Sequence, residues 1–150
     1  MSHRRRILPP VYFLAAIAIM ASLHYLAPIG IILRPPITYL GVLLIAIGLG
    51  VVGWPAAAFG RVGTPIKPFE DSTHLVTGGM YRVSRNPMYL GMVVVLLGIA
   101  VLYGNISPFI SIPIFVWLIQ KNFIRLEEAM LEKTFGDEYR EYKNVVRRWL

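Results

Sequence analysis

The sequence predicts an all-α integral membrane protein: a bundle of four transmembrane helices with an ordered cytoplasmic loop and a C-terminal amphipathic helix, in one domain covering residues 1–150. Three observations predict this fold. Hydrophobic residues make up 56% of the 150 residues and charged residues only 15%, whereas soluble domains carry about 25% charged residues. The apolar residues form four long runs. Nearly all charges fall on one side of the membrane that these runs imply.

The four runs have the length that a spanning helix requires, about 20 mostly apolar residues. We predict spans at about residues 11–33, 37–59, 88–104 and 107–126. Arg34 and two prolines separate the first two spans, the loop 60–87 separates the next two, and a short turn joins the last two. The alternative, a soluble protein with an unusually apolar core, is disfavoured because its apolar residues would recur in a short period.

Charge placement predicts the orientation. Of the 15 Lys and Arg residues, all but Arg34 lie on the cytoplasmic side when both termini are placed there, which is the usual bias of cytoplasmic loops. All eight acidic residues lie there too. The net charge of +7 therefore indicates topology and contact with membrane lipids rather than nucleic-acid binding. We expect an integral protein of the inner, cytoplasmic membrane.

The N-terminal arginines followed by an apolar run look like a signal peptide, but the run is too long and no small-residue cleavage site follows it. We therefore expect the first span to be retained. The chain contains no cysteine, which excludes disulfides, thiolate metal sites and a cysteine nucleophile. No metal site is expected.

Small residues mark the inner spans. The first span carries His24, for which packing or an interfacial position is expected. In the second span, Gly53 and Ala57 form a small-xxx-small pair that lets helices approach closely. In the third span, Gly91 and Gly98 lie seven residues apart on nearly one face. We expect these glycines to serve helix packing; the alternative is that they leave room for a ligand.

The fourth helix is expected to begin with Ser107 as its cap, to run unbroken to Phe135 and to stop at Gly136. From Pro108 to Glu127 it rises roughly 29 Å at about 1.5 Å per residue, which matches a hydrocarbon layer of about 30 Å. The carboxylates of Glu127 and its neighbour Glu128 should therefore emerge at the cytoplasmic boundary.

The C-terminal segment 127–150 continues into the cytoplasm. After Gly136, apolar and aromatic residues recur at helical spacing: Tyr139, Tyr142, Val146 and Trp149. This spacing predicts an amphipathic helix that folds back on the protein or lies on the membrane surface.

Two polar clusters are expected to converge on the cytoplasmic side. One opens the third span, with Tyr81, Arg85 and Tyr89, and the other closes the fourth, with Glu127 and Glu128. Because the turn between these spans is short, they should be antiparallel neighbours. The start of one then lies beside the end of the other, and the two clusters form one site.

The chemistry of these residues suits one ligand. Carboxylates bind ammonium groups, Arg85 or backbone N–H groups at a helix start bind a carboxylate, and tyrosine rings pack an aromatic ring or a soft cation. S-adenosylmethionine carries all of these groups. An ion pair of Arg85 with Glu127 or Glu128 would explain the same charges structurally, and the residues alone leave both interpretations open.

The motifs HLVTGGMY at 74–81 and RNPMYLG at 85–91 resemble the signature of the isoprenylcysteine carboxyl methyltransferase and phospholipid methyltransferase superfamily. Glu127, Glu128 and the segment 135–148 resemble it as well. The resemblance covers roughly residues 60–148 and implies an integral membrane methyltransferase that uses S-adenosylmethionine. By position it implies a cofactor pocket lined by His74, Leu75, Val76, Gly79, Tyr81, Asn86, Pro87, Tyr89, Glu127 and Glu128.

The resemblance also implies a lipophilic or small amphiphilic methyl acceptor, a carboxylate, an amine or a thiol, that approaches from the bilayer. Arg85 and Asn86 are the candidate catalytic residues. Asn86 stands where the family motif has histidine, so it can form hydrogen bonds but cannot exchange a proton near neutral pH. Asn86 and Tyr89 would orient the methionine part of the cofactor, and Arg85 would either steer an anionic acceptor or hold the glutamates.

Two other functions are considered. An NADPH-dependent membrane reductase of the sterol-reductase type resembles this chain distantly in its C-terminal region, but the paired glutamates and the Asn86-Pro87 motif favour methyl transfer. A non-enzymatic helical scaffold or small transporter would not need the loop and the glutamates to converge.

Overall fold

A computed structural model describes residues 8–62 and 75–150, apart from the side chains of residues 55–62. In these ranges the regular secondary structure is helical, apart from a single isolated antiparallel bridge between Ile31 and Asn105. The α-helices are α1 Pro9–Leu26, α2 Leu40–Val62, α3 Pro87–Tyr103, α4 Ser111–Ile119, α5 Arg125–Phe135 and α6 Asp137–Val145. The predicted all-α class is confirmed for this part of the chain.

Shorter helical segments complete the path. The 3-10 segments are Ile37–Tyr39, Gly79–Arg82 and Ser107–Ile110, and the π-helical segment Gln120–Ile124 joins α4 to α5. The fourth predicted helix is therefore one rod that ends at Phe135 before Gly136, as expected, but a π-helical turn that the sequence analysis did not predict interrupts its α-helical geometry.

Three described segments are long and apolar enough to cross a membrane: Pro9–Leu26, Ile37–Trp54 and Ser107–Phe135. Helix α3 is equally apolar but has only 17 residues. The large apolar side chains exposed on α1 and α2, such as Leu14, Ile19, Leu43 and Leu49, belong to an integral membrane protein whose outer surface contacts lipid.

The first helix is shorter than predicted. It ends at Leu26, not near residue 33, and Ala27 adopts φ −140°. Ala27 precedes Pro28, and steric conflict with a following proline disfavours the helical conformation. Residues 27–36 instead form an irregular link in which the Ser107 hydroxyl donates to the carbonyl of Ala27 and accepts from the Ile29 amide at 2.7 Å. The predicted capping role of Ser107 is therefore wrong, because its hydroxyl is used in this link.

Helices α2 and α3 pack antiparallel through two pairs of glycines. Gly41 lies against Gly98, and Gly48 lies against Gly91. A Cβ atom on Gly48 would lie 2.8 Å from the Gly91 carbonyl oxygen, so any larger residue would push the helices apart. The packing role of Gly91 and Gly98 is confirmed, whereas Gly53 has no described atom within 4 Å; the close approach lies at Gly41 and Gly48 instead.

The core lies between α1, α3 and the rod of α4 and α5. Met20, Leu96, Ile119 and Ile124 are fully buried there. Tyr12 meets Phe123 edge to face, with ring centroids 5.5 Å apart. This core holds the start of α3 beside the start of α5.

Beyond α5 the chain reverses at Gly136 (φ +56°) and α6 packs back on the protein, with Tyr139 only 1% exposed. Lys143 and Arg140 of α6 both bond Glu132 of α5, at 3.0 and 3.3 Å. The helix ends at Val145, so Trp149 lies outside it, and its indole Nε1 donates to Gln120 Oε1 at 3.2 Å.

Candidate functional site

The two polar clusters lie next to each other, as the short turn between α3 and the rod of α4 and α5 predicted. The Tyr89 hydroxyl on the first turn of α3 donates to Oε1 of Glu127 on the first turn of α5 at 2.8 Å. Oε1 of Glu128, which follows Glu127 in the sequence, lies 3.4 Å from Nη2 of Arg85. Residues that lie about forty positions apart in the sequence therefore form one cluster at the same end of the bundle.

Glu127 is half-buried and keeps bonding capacity. Among the described residues it forms one hydrogen bond, with Tyr89 through Oε1. Its Oε2 is thus available to a donor from a ligand. Tyr81 lies close by: burial, then the neighbouring Tyr142 and Glu127, raises the pKa of the Tyr81 phenol above its usual value. A neutral phenol therefore lies near the Glu127 carboxylate.

Glu128 is engaged differently. Arg148 binds it with two parallel hydrogen bonds, Nε to Oε1 at 3.0 Å and Nη2 to Oε2 at 2.6 Å. Arg85 approaches the same Oε1, and the side chains of Arg85 and Glu128 are only 10% and 11% exposed. A bidentate arginine–carboxylate contact is among the stronger ion pairs. Of the two interpretations of Arg85, the structure contains the ion pair with a glutamate, and that glutamate is Glu128.

Hydrogen bonding to Glu128 raises the pKa of Arg148, so its guanidinium is always charged. Burial raises the pKa of Tyr139, next to Arg85 and Glu128, to about 12. Two guanidinium groups and one carboxylate carry a local net charge of +1. The Nε and Nη1 atoms of Arg85 are buried and have no hydrogen-bond partner among the described residues.

The C-terminal segment holds the turn that precedes α3. The Arg148 carbonyl accepts hydrogen bonds from Asn86 Nδ2 at 3.0 Å and from the Ser84 hydroxyl at 3.3 Å. The Arg147 carbonyl accepts from the Arg85 amide at 3.0 Å. The Asn86 side-chain amide thus binds the protein's own main chain. This buried side chain connects the turn before α3 to the C-terminal segment.

A second contact lies beside this one. The Tyr142 hydroxyl of α6 donates to the Tyr81 carbonyl at 2.6 Å. Residues 142–148 therefore hold residues 81–86 at several points, and the position of Tyr81 depends on the C-terminal segment.

The remaining predicted residues take different positions. Pro87 is buried at the first position of α3, where its missing N–H is harmless. Gly79 has φ +60°, and the Trp54 ring fills the space that a Cβ would need. Leu75 and Val76 are half-buried ahead of this turn. His74 lies outside the described residues.

Sequence reasoning missed the contributions of Arg148, Ser84, Tyr142 and Trp54. Arg148 belongs to the segment that carries the family resemblance, but no role was assigned to it. The available signal was the acidic doublet: two adjacent carboxylates at a membrane boundary require cationic partners, and Arg85 was the only cation considered. Within the described residues no group of three or more His, Asp or Glu side chains is arranged for a metal ion.

The phospholipid methyltransferase family model matches residues 36–138, which is more than half of the chain. The chain is 30% identical over 112 residues to a probable protein-S-isoprenylcysteine O-methyltransferase of Oryza sativa subsp. japonica, covering 73% of this chain and 59% of that protein. It is 41% identical over 85 residues to the protein-S-isoprenylcysteine O-methyltransferase of Saccharomyces cerevisiae, covering 54% of this chain and 34% of that protein.

An uncharacterized protein of Haemophilus influenzae is 44% identical over 63 residues, which is 42% of this chain and all of that protein. No solved structure matches the chain. The chain spans 59% of the plant relative and 34% of the yeast relative. The region that the family model matches contains α2, α3 and the rod of α4 and α5, with the carboxylates Glu127 and Glu128 on the first turn of α5. The chain is therefore an integral membrane member of the isoprenylcysteine carboxyl methyltransferase and phospholipid methyltransferase superfamily.

Proposed function

We propose that this protein is an S-adenosylmethionine-dependent methyltransferase that acts on a lipophilic or small amphiphilic acceptor at the cytoplasmic membrane interface. The observation that carries the proposal is the Tyr89–Glu127 pair at 2.8 Å. It leaves Oε2 of the half-buried Glu127 without a hydrogen-bond partner among the described residues, near Tyr81. The names of the plant and yeast relatives support the reaction class.

The residues present fit the cofactor. The free oxygen of Glu127 suits its ammonium group, because a charged donor and a charged acceptor form the stronger class of hydrogen bond. The Tyr81 and Tyr89 rings suit an adenine or a sulfonium. Leu75 and Val76 offer apolar contacts ahead of the turn. When bound, the cofactor supplies an electrophilic methyl group on sulfur.

The prediction that both glutamates contact the cofactor stays a prediction. The geometry favours different roles for Glu127 and Glu128. Glu127 holds the ligand. Glu128 acts through Arg85 and Arg148, and so positions the turn that carries Asn86. The protein then contributes mainly alignment of donor and acceptor and exclusion of water.

Arg85 favours a methyl acceptor that carries a negative charge. Its Nε and Nη1 donors, which have no hydrogen-bond partner among the described residues, suit an anionic acceptor group, such as a carboxylate. Asn86 cannot remove a proton near neutral pH, so the acceptor has to arrive in its unprotonated form. The acceptor is a carboxylate, an amine or a thiol; the isoprenylcysteine in the names of the relatives carries an apolar chain, which suits an approach from the bilayer.

We also infer that α3 is a fourth membrane crossing, that both termini lie in the cytoplasm and that the host membrane is the inner membrane. The inference rests on the antiparallel packing of α3 along α2 and on the position of Arg34, the one basic residue at the far end.

Calorimetric titration of the detergent-solubilised protein tests the function directly. Heat on adding S-adenosylmethionine or its demethylated product, and none with NADPH, is the expected result. Heat with NADPH alone would reject methyl transfer in favour of the reductase. Incubation of lipid extracts with isotopically labelled donor, followed by mass spectrometry, then identifies the acceptor.

Glu127→Gln is expected to weaken cofactor binding by about tenfold or more, because it replaces a charged hydrogen-bond acceptor with a neutral one. The unfolding temperature should stay close to that of the wild type, since Glu127 bonds only Tyr89 among the described residues. The matched control is Glu138→Gln, an exposed carboxylate on α6, which should leave affinity unchanged. Equal affinity of the Glu127 variant and the wild type would remove Glu127 from the site.

A further inference from the structure

A cavity lies at the opposite end of the bundle from Tyr89 and Glu127. It has a volume of about 480 Å³ and lies between the end of α1, the link 27–36 and the end of α3. Its polar lining consists of His24, Arg34, Thr38, Tyr103 and Asn105. From Tyr89 to Tyr103 helix α3 rises roughly 21 Å at about 1.5 Å per residue, so this cavity is separate from the candidate methyl-transfer site.

Arg34 has no acidic partner among the residues that the structure describes. It is the only Asp, Glu, Lys or Arg between residues 7 and 60, and there is none between residues 86 and 120. Among the described residues, these stretches form the far end of the bundle. A guanidinium beside hydrocarbon is expensive unless an anion or water accompanies it. The Arg34 side chain is exposed, and an anionic ligand fits beside it because none of the described residues there carries a negative charge.

The cavity contains further hydrogen-bond donors. His24 stacks on Tyr103, with ring centroids 4.2 Å apart, and its Nδ1 lies 2.9 Å from Asn105 Nδ2. Because the amide Nδ2 is a donor, Nδ1 accepts, and the neutral ring carries its proton on Nε2. The Nε2–H group and the hydroxyl of the buried Thr38 thus join Arg34 as donors suited to an anion.

One acceptor is also unsatisfied. Asn105 Oδ1 is buried and has no hydrogen-bond partner among the described residues. A hydroxyl on the ligand would supply the missing donor after a small rotation of the amide. Apolar side chains, including Ile31 and Leu102, complete the lining. The cavity therefore presents a cation, neutral donors, one acceptor and an apolar wall.

We propose that this cavity is a binding site for a glycerol phosphate group, with Arg34 as the phosphate ligand and His24, Thr38 and Asn105 as its hydrogen-bonding partners. The group can be the headgroup of a membrane phospholipid or a soluble glycerol phosphate. The apolar wall and the position at the membrane boundary favour the lipid.

Calorimetry of the full-length protein in a non-ionic detergent tests the site with three probes: a short-chain phosphatidylglycerol, the diacylglycerol with the same chains, and sn-glycerol 3-phosphate. Phosphatidylglycerol is expected to bind and diacylglycerol to bind at least tenfold more weakly. Glycerol phosphate that binds as tightly as the lipid would identify the soluble ligand as the source. Equal binding of the two lipids would overturn the proposal.

Variants link the binding to the cavity. Arg34→Gln is expected to weaken phosphatidylglycerol binding by about tenfold, because a charge-assisted hydrogen bond is lost. Arg125→Gln removes the same charge from an exposed position at the other end of the bundle and should change little. An unchanged affinity in Arg34→Gln, or an equal loss in both variants, would overturn the proposal. Binding of S-adenosylmethionine in both variants reports separately on the other site.

Discussion

Glu128→Gln is expected to lower the unfolding temperature of the detergent-solubilised protein strongly, with a loss of about 3 kcal/mol in the free energy of unfolding. The substitution leaves Arg85, 10% exposed, and Arg148 without the carboxylate that both contact. A buried ion pair contributes little net stability, but removal of one partner leaves uncompensated charge, which is why the loss is large. Thermal unfolding followed by intrinsic fluorescence measures it.

Two further variants sharpen this prediction. Glu138→Gln removes an exposed carboxylate and should change stability by no more than about 0.5 kcal/mol. Arg148→Gln should cost less than Glu128→Gln, because Arg85 still pairs with Glu128. If Glu128→Gln were as mild as Glu138→Gln, the ion-pair cluster would not be the element that holds the C-terminal segment on the turn before α3.

Gly48→Ala and Gly91→Ala are each expected to destabilise the α2–α3 pair by about 1–3 kcal/mol. The added Cβ would lie 2.8 Å from the carbonyl oxygen of the facing glycine in both cases, and a backbone carbonyl cannot rotate away as a side chain can. The helices must therefore separate, which weakens the packing between them. Thermal unfolding again provides the measurement.

Gly50→Ala is the matched control, because Gly50 lies on the same helix. A Cβ atom added at Gly50 would have no described atom within 4 Å outside its own stretch of helix. Alanine favours a helix by about 1 kcal/mol over glycine, so this variant should be neutral or more stable. The Gly48→Ala, Gly91→Ala double variant should lose less than the sum of the single variants, since one separation of the helices relieves both contacts. Equal losses of stability in Gly48→Ala and Gly50→Ala would show that the close approach of α2 and α3 does not determine the effect of the added Cβ.

Several features of this protein follow from the order of its residues. Long uncharged runs require helices in lipid, Pro87 and Gly136 mark the start of α3 and the end of α5, and a short turn after Tyr103 brings Tyr89 to Glu127. Each of these depends on local propensity or on connection length. Nearby residues alone determine such properties, so they can be predicted without coordinates.

Other features were decided only by tertiary packing. The sequence contains adjacent glutamates and several arginines. Nothing local distinguished Glu127, whose Oε2 has no partner among the described residues, from Glu128, which binds Arg85 and Arg148. The same holds for the glycines: Gly41 and Gly48 face α3 whereas Gly50 and Gly53 do not. The choice of partner depends on the rotation of each helix about its axis. That rotation is set by the packing of the whole bundle, which no short stretch of sequence contains.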